Sequence, residues 1–159
     1  MHRSRAAMVV LLVLGGLAGA PAADAQGAGP PAAVVALGPA TLLTRPPAEA
    51  AISAAMSKLG APYVYGATGP DNFDCSGLTQ WAFRQAGVFI PRTTDGQSQS
   101  GTPVPLDQMR RGDLVFSYTP ISHVGFYLGD GTVLHSPTAG RSVEITPLRY
   151  LDPVAARRY

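Results

Sequence analysis

Phe73-Asp74-Cys75-Ser76-Gly77-Leu78 is the stretch that decides the interpretation of this chain, because it contains the only cysteine among the 159 residues. A loop rich in glycine and proline precedes it, and apolar residues at helical spacing follow it. The pattern predicts a helix from about Cys75 to Ala86, with Asp74 as its N-cap. Gly87 supplies the C-terminal stop. The thiol is therefore expected at the first turn of a helix.

The first 25 residues have the pattern of a secretory signal peptide. Arg3 and Arg5 form a basic start, an apolar run follows, and Ala23-Asp24-Ala25 is a small-residue cleavage site. The apolar run is shorter than the roughly 20 residues of a membrane-spanning helix, although an uncleaved anchor stays an alternative. We expect an exported protein, secreted or associated with the cell wall, that has no stable membrane association after cleavage.

A single cysteine in an exported protein cannot close an internal disulfide. Cys75 is then a buried inert thiol, half of an intermolecular disulfide, or a reactive group. Asp74 and Ser76 make its surroundings polar, and the free N–H groups and dipole of a helix N-terminus favour a thiolate. The sequence context thus favours a reactive thiol.

Composition predicts one domain and an arm before it. Residues 26–47 are rich in Ala, Gly and Pro, which indicates a linker. The domain is expected to span residues 48–159 and to begin with a helix over residues 48–59. The formal net charge is only +2, so nucleic acid is not an expected partner. We expect a monomer.

After Gly112 the apolar period changes to two. This predicts strands at residues 114–118, 123–128, 132–136 and 142–146, with a short strand near residues 154–158. One more helical turn, capped by Thr93 or Thr94, is expected before them. Helices followed by strands indicate an α+β fold in which N-terminal helices pack on a central antiparallel sheet.

His123 and His135 are the two histidines beyond the signal peptide, and the hairpin between their strands decides whether they meet. A two-residue loop, Asp130-Gly131, would put them on opposite faces of the sheet. A three-residue loop, residues 129–131, would put them diagonally on one face and within side-chain reach. We predict the three-residue loop, because Gly131 suits its left-handed position.

Cys75, His123 and His135 can then act as nucleophile, general acid–base and orienting group. A free thiol is mostly protonated at neutral pH, and an imidazolium beside it would favour the thiolate and later protonate a leaving amine. The N–H of Cys75 is placed to stabilise an oxyanion. Zinc ligation by the same three side chains is not favoured, because catalytic zinc sites usually contain a closely spaced ligand pair.

The chain resembles the NlpC-type cell-wall cysteine peptidases, which have a papain-like fold, over about residues 48–159. Several motifs carry this resemblance, and their order and spacing make the set specific. They are Gly60-Ala61-Pro62-Tyr63-Val64-Tyr65-Gly66, Gly69-Pro70-Asp71-Asn72-Phe73-Asp74-Cys75-Ser76-Gly77-Leu78, Ile90-Pro91-Arg92-Thr93-Thr94, Gly112-Asp113-Leu114-Val115-Phe116, Ser122-His123-Val124-Gly125-Phe126-Tyr127-Leu128-Gly129-Asp130-Gly131 and Leu134-His135-Ser136-Pro137.

The resemblance implies that Cys75, His123 and His135 form a catalytic triad that needs no cofactor and no metal. It implies hydrolysis of amide bonds in peptidoglycan stem peptides, typically the D-γ-glutamyl–diamino acid bond. It also implies that three further residues bind substrate, namely Tyr63, Asp74 and Ser76.

Two other functions stay open on the sequence. One is a non-catalytic peptidoglycan-binding module, and the other is a thiol hydrolase or acyltransferase that acts on a substrate outside the wall. Two charged residues lie near the motifs without an assigned catalytic role. We expect Asp113 to cap a turn before a strand and Arg92 to be a turn residue tied to a carboxylate.

Overall fold

A computed structural model describes residues 45–159 of the chain. The predicted signal peptide and almost all of the predicted linker lie outside these residues. Three helices come first: α1 (Pro47–Met56), α2 (Cys75–Gln85) and α3 (Thr94–Gln99). Six strands follow: β1 (Thr102–Pro103), β2 (Leu114–Ser117), β3 (His123–Tyr127), β4 (Thr132–His135), β5 (Glu144–Pro147) and β6 (Pro153–Arg158). None of the helices in this range is long and apolar enough to cross a membrane.

The strands form one antiparallel sheet in the order β1-β6-β2-β3-β4-β5. The predicted strand near residues 154–158 is present as β6, and it lies inside the sheet between β1 and β2. An ion pair accompanies this position: Arg158 Nε lies 2.7 Å from Oδ1 of the buried Asp113. Asp113 also accepts from the N–H of Arg110 at 2.7 Å, which is the turn-capping role that the sequence predicts.

Helix α1 ends three residues before its predicted end. The N–H of Gly60 donates to the carbonyl of Val143 at 2.9 Å, outside any helix. Pro62 and Ser142 then form an isolated bridge. The segment that leads to Cys75 therefore leaves α1 to pair with residues just before β5, and that pairing brings it to the sheet.

The two faces of the sheet carry different side chains. One face packs against α1 and α2 through a core cluster that includes Ile52, Leu78, Phe83, Phe116, Val124, Phe126 and Leu134. The opposite face packs Val115, Val133 and Leu151 into a smaller cluster. His135 lies two residues from Val133, and His123 lies two residues from Gly125, which pairs with Val115. Residues two apart in a strand share a face, so both histidines lie on this second face. Cys75 packs against the first cluster, on the helix side of the sheet.

The β3–β4 hairpin has the three-residue loop that the sequence predicts. Phe126 pairs with Leu134 and Tyr127 with Val133, and the N–H of Leu128 donates to the carbonyl of Thr132. Both glycines of the loop have positive φ, +89° at Gly129 and +80° at Gly131, which L-residues with a Cβ adopt at a cost. This register places the two histidines on the same face.

Gly77 lets helix α2 start against the preceding loop. A Cβ at this position would lie 2.0 Å from the carbonyl oxygen of Ala67. That oxygen already accepts the N–H of Asp74 at 3.0 Å. The backbone on both sides of Cys75 is thus held by a contact that only glycine permits.

The Gly77→Ala substitution is expected to lower the free energy of unfolding by about 1–3 kcal/mol, because the methyl group displaces a hydrogen-bonded backbone oxygen. Urea denaturation measures this loss. Gly140→Ala is the matched control, since Gly140 has a φ of +80° but nothing within 4 Å of its Cβ position. The control should cost only about 1 kcal/mol of backbone strain. Equal losses in the two variants would contradict the contact.

Candidate active site

Cys75 is the first residue of α2, and its side chain is half-buried. Its Sγ lies 3.5 Å from Oγ1 of Thr94 at the start of α3. The backbone N–H of Cys75 has no acceptor within the helix, because the first residues of an α-helix have none. The thiol lines a cavity of about 430 Å³, whose other lining residues are Tyr63, Tyr65, Gly66, Asp74, Ser76, Arg92, Thr93, Thr94 and Ser122.

Asp74 holds the start of α2 in place. Its Oδ1 accepts the N–H of Gly77 at 2.6 Å, which confirms the predicted N-cap, and its Oδ2 accepts the N–H of Gly66 at 2.9 Å. Arg92 adds two hydrogen bonds to the same carboxylate, of 3.1 and 2.5 Å, and a third to Ser76 Oγ at 2.9 Å. The expected carboxylate partner of Arg92 is thus Asp74.

These hydrogen bonds give Asp74 and Ser76 a structural role. Both oxygens of Asp74 already accept hydrogen bonds, and the Asp74 and Ser76 residues are only 6% and 5% exposed. The network fixes the helix end that carries Cys75. Their predicted contact with substrate stays a prediction, and Arg92 is the member of this cluster to which the sequence assigned no catalytic or substrate-binding role.

His123 and His135 are in direct contact. Nε2 of His123 lies 2.7 Å from Nδ1 of His135, and the rings meet edge to face with centroids 4.9 Å apart. Gly125 makes this contact possible, because a Cβ there would lie 2.9 Å from Cβ of His135. A glycine inside a strand is the sequence signal for such a close approach, although Gly125 is not among the predicted site residues.

Burial lowers the pKa of both imidazoles. The pKa of His123 falls to about 4, mainly through burial and also through the positive charge that His135 carries when protonated. The pKa of His135 falls to about 4 through burial and the nearby guanidinium of Arg141. Both rings are therefore neutral at pH 7. The imidazolium expected beside the thiol forms only when His123 accepts a proton.

The protein is expected to lose stability as the pH falls from 7 to 5. An unfolded histidine has its ordinary pKa near 6.5, so the unfolded state binds protons in this range while the folded pair stays neutral. The free energy of unfolding should drop by on the order of 2 kcal/mol per histidine. Urea titrations at several pH values measure this drop, and His135→Asn should remove about half of it. A flat profile from pH 7 to 5 would contradict the burial effect.

The imidazole pair borders a second cavity, of about 460 Å³, that adjoins the cavity of Cys75. Tyr63 and Ser122 line both cavities, and we refer to the two cavities together as the groove. Nδ1 of His123 has no hydrogen-bond partner within residues 45–159, and it is not sealed from solvent. It is therefore the ring nitrogen that is available to a proton in the groove.

Tyr63 stands at the junction of the two cavities. Burial raises the pKa of its phenol, and the nearby Cys75 and Asp74 raise it further. The hydroxyl thus stays protonated and can donate a hydrogen bond into the groove.

The two cavities together contain a thiol and an imidazole pair. These are the residue types of the predicted triad, in which Cys75, His123 and His135 would be nucleophile, base and orienting group. Within the described part of the chain, no three side chains of the His, Cys, Asp or Glu types are placed to share a metal ion.

The sequence profile of the NlpC/P60 family matches residues 60–153. This range includes Cys75, His123 and His135, together with every strand from β2 to β5.

Several curated proteins are similar to the chain. A probable endopeptidase of Corynebacterium glutamicum is 42% identical over 88% of this chain and 60% of its own length. The gamma-D-glutamyl-L-lysine dipeptidyl-peptidase of Bacillus cereus is 40% identical over 72% of this chain and 37% of its own length. The peptidoglycan endopeptidase RipA of Mycobacterium tuberculosis is 36% identical over 84% of this chain and 29% of its own length. The chain thus spans between 29% and 60% of the length of these relatives.

A solved structure agrees with the fold. The crystal structure of an NlpC/P60 family protein from Bacillus cereus matches with a TM-score of 0.68 and 39% identity. The match covers 72% of this chain and 40% of that one. The papain-like α+β fold predicted from the sequence is confirmed.

Proposed function

Since the chain belongs to the NlpC/P60 family, we propose that it is a cysteine peptidase that hydrolyses amide bonds in the stem peptides of peptidoglycan. The observation that carries this proposal is the 2.7 Å contact between the two imidazoles in a groove that also holds the thiol. That contact supports the proposal because it holds the ring of His123 in place, as a base for the only cysteine of the chain would require.

In the proposed reaction, His123 Nδ1 takes the proton of the Cys75 thiol as the sulfur attacks the carbonyl carbon of the scissile amide. The tetrahedral oxyanion is stabilised by the N–H of Cys75, and Tyr63 is placed to donate a second hydrogen bond. His123, now an imidazolium, protonates the departing amine and leaves a thioester on Cys75. Water, activated by the neutral His123, then releases the acid product and restores the thiol.

His135 holds the His123 ring and accepts or shares its Nε2 hydrogen. The positive charge on His123 exists only between the two proton transfers. A neutral resting pair suits this sequence of steps, because the base is unprotonated at neutral pH and ready to accept the thiol proton.

We place the cleaved bond between D-γ-glutamate and the diamino acid of the stem peptide. The name of the Bacillus cereus relative specifies a γ-D-glutamyl bond to L-lysine, and that of RipA specifies peptidoglycan. Tyr63, Asp74 and Ser76 are proposed to bind the substrate on the thiol side of the groove; Tyr63 is the member of this set that lines both cavities.

The proposed site of action is outside the cytoplasm, in or near the cell wall, where the enzyme acts as a monomer. The basic start, apolar run and cleavage site of residues 1–25 support export. Amino-terminal sequencing of the exported protein should give Gln26 as its first residue; an intact N-terminus on exported protein would contradict cleavage.

The test is incubation of the purified protein with sacculi and, separately, with a soluble tripeptide muropeptide, followed by mass spectrometry. Products cut between D-glutamate and the diamino acid are expected, and a Cys75→Ala preparation should give none. Sedimentation of the protein with sacculi without cleavage at any pH would instead support a binding module. Cleavage confined to peptides or lipids foreign to the wall would support another hydrolase.

A further inference from the structure

The second ring nitrogen of His135 is hydrogen-bonded within the protein. Nε2 of His135 lies 3.0 Å from Oγ1 of Thr146, which in turn lies 3.0 Å from Oε1 of Glu144. Glu144 also forms an ion pair with Arg141 on the rim of the groove. A chain of hydrogen bonds thus runs from the groove rim to the imidazole pair.

The strand register brings this chain together. Glu144 of β5 lies directly opposite His135 of β4, and Thr146 lies opposite Val133. Residues two apart share a face of a sheet, so Glu144, Thr146 and His135 are on the same face as His123. The arrangement therefore depends on the pairing of β4 with β5, and not on a local motif.

The carboxylate of Glu144, at the end of the chain of hydrogen bonds, fixes the direction of each bond. A carboxylate only accepts, so the Thr146 hydroxyl donates its hydrogen to Glu144. The oxygen of Thr146 must then accept, and Nε2 of His135 carries the hydrogen. In a neutral ring the other nitrogen has a lone pair, so Nδ1 of His135 accepts from Nε2–H of His123.

Nδ1 of His123 is the nitrogen that faces the groove. With its hydrogen on Nε2, a neutral His123 has an unprotonated Nδ1, which is the form that can remove the thiol proton. The opposite direction of hydrogen bonds would put a hydrogen on Nδ1 and leave no base in the groove. We propose that Thr146, oriented by Glu144, is a positioning residue that sets the tautomer of both histidines and so keeps Nδ1 of His123 basic.

The catalytic consequence rests on the proposed peptidase function, whereas the tautomer can be measured in the free protein. Two-bond ¹H–¹⁵N correlation spectra of the histidine-labelled protein at pH 7 should show both rings neutral with the hydrogen on Nε2. A wild-type spectrum with the hydrogen of His123 on Nδ1 would overturn the proposal whether or not the protein cleaves peptidoglycan.

Variants test the role of the hydroxyl. Thr146→Val keeps the shape and removes the acceptor, so it should populate the Nδ1–H form of His123 and lower kcat about ten- to a hundredfold, with KM within about twofold of wild type. Thr146→Ser restores a hydroxyl and should recover kcat to within about threefold. Thr132→Val is the control, because the Thr132 hydroxyl bonds Asp130 and neither histidine.

The outcomes separate the possibilities. A kcat and a tautomer in Thr146→Val equal to those of Thr146→Ser would overturn the proposal. An equal loss in Thr132→Val would overturn it as well, since the effect would then come from the sheet and not from the hydrogen bond. If Thr146→Val does not fold, the wild-type spectrum still tests the proposal. The Glu144→Gln variant, in which the acceptor of the Thr146 hydrogen is weaker, tests it as well.

Discussion

Replacing Cys75 by Ala is expected to abolish peptide hydrolysis and to leave the fold unchanged. Removal of the nucleophile should lower kcat by roughly 10⁴- to 10⁶-fold, as it does in other enzymes with a covalent mechanism. The fold should survive because the thiol is half-buried and its one hydrogen bond within the described residues is the 3.5 Å contact with Thr94. Product release from a tripeptide muropeptide, followed by mass spectrometry, measures the loss.

Alkylation gives an independent check on the same residue. Because Cys75 is the only cysteine, one equivalent of iodoacetamide should modify one site and remove activity in proportion. The Cys75→Ser variant serves as a control that keeps the size and polarity of the site. Activity of Cys75→Ala within tenfold of wild type, with the same melting temperature, would rule out the proposed nucleophile.

Replacing His123 by Ala is expected to cost nearly as much as replacing Cys75. Without the base, the thiol proton has no acceptor in the groove and the leaving amine has no donor, so kcat should fall by roughly 10⁴-fold or more. The two residues act as a unit, and the double variant should therefore be no slower than the worse single variant. Single-turnover rates of the three proteins measure this relation.

His135 should show a graded effect in the same assay. His135→Asn keeps a carbonyl that can accept from Nε2–H of His123, whereas His135→Ala leaves that hydrogen without its acceptor. We expect His135→Asn to lie between wild type and His135→Ala. For Cys75 and His123, a double variant whose fold-loss in kcat equals the product of the two single losses would show that the two residues act independently, contrary to the mechanism.

The sequence could predict the parts of the site that depend on local pattern. Asp74, Cys75 and Gly77 lie together in one helix start, and their cap geometry follows from residue types three positions apart. The hairpin register follows in the same way, because a three-residue loop with Gly131 at its end places His123 and His135 on one face whatever the rest of the fold does. These predictions about Asp74 and the hairpin are confirmed.

The sequence pattern could not predict which distant segments of the chain pair with each other. The strand β1 has only two residues, too few for a period, and β6 enters the sheet beside β2, about 40 residues away along the chain. Asp74 forms an ion pair with Arg92, and Thr146 of β5 forms a hydrogen bond with His135 of the neighbouring strand β4. None of these contacts has a signal in spacing or composition, since each joins segments that are brought together only when the domain folds.

The charge state of the histidines shows the same division. The residue types alone suggest an imidazolium beside a thiolate, whereas burial in the sheet lowers both pKa values to about 4 and makes the pair neutral. Burial is a property of the packed domain and cannot be read from neighbouring residues.

Local sequence pattern is enough to place the thiol at the start of a helix and the two imidazoles on one face of the sheet, because helix caps and tight hairpins depend on residues only a few positions apart. The folded domain is needed to show that Tyr63 and Ser122 line both cavities and that Thr146 lies within hydrogen-bond distance of Nε2 of His135. These features depend on contacts between segments that are separated along the chain, such as the pairing of β4 with β5 that brings Thr146 to His135.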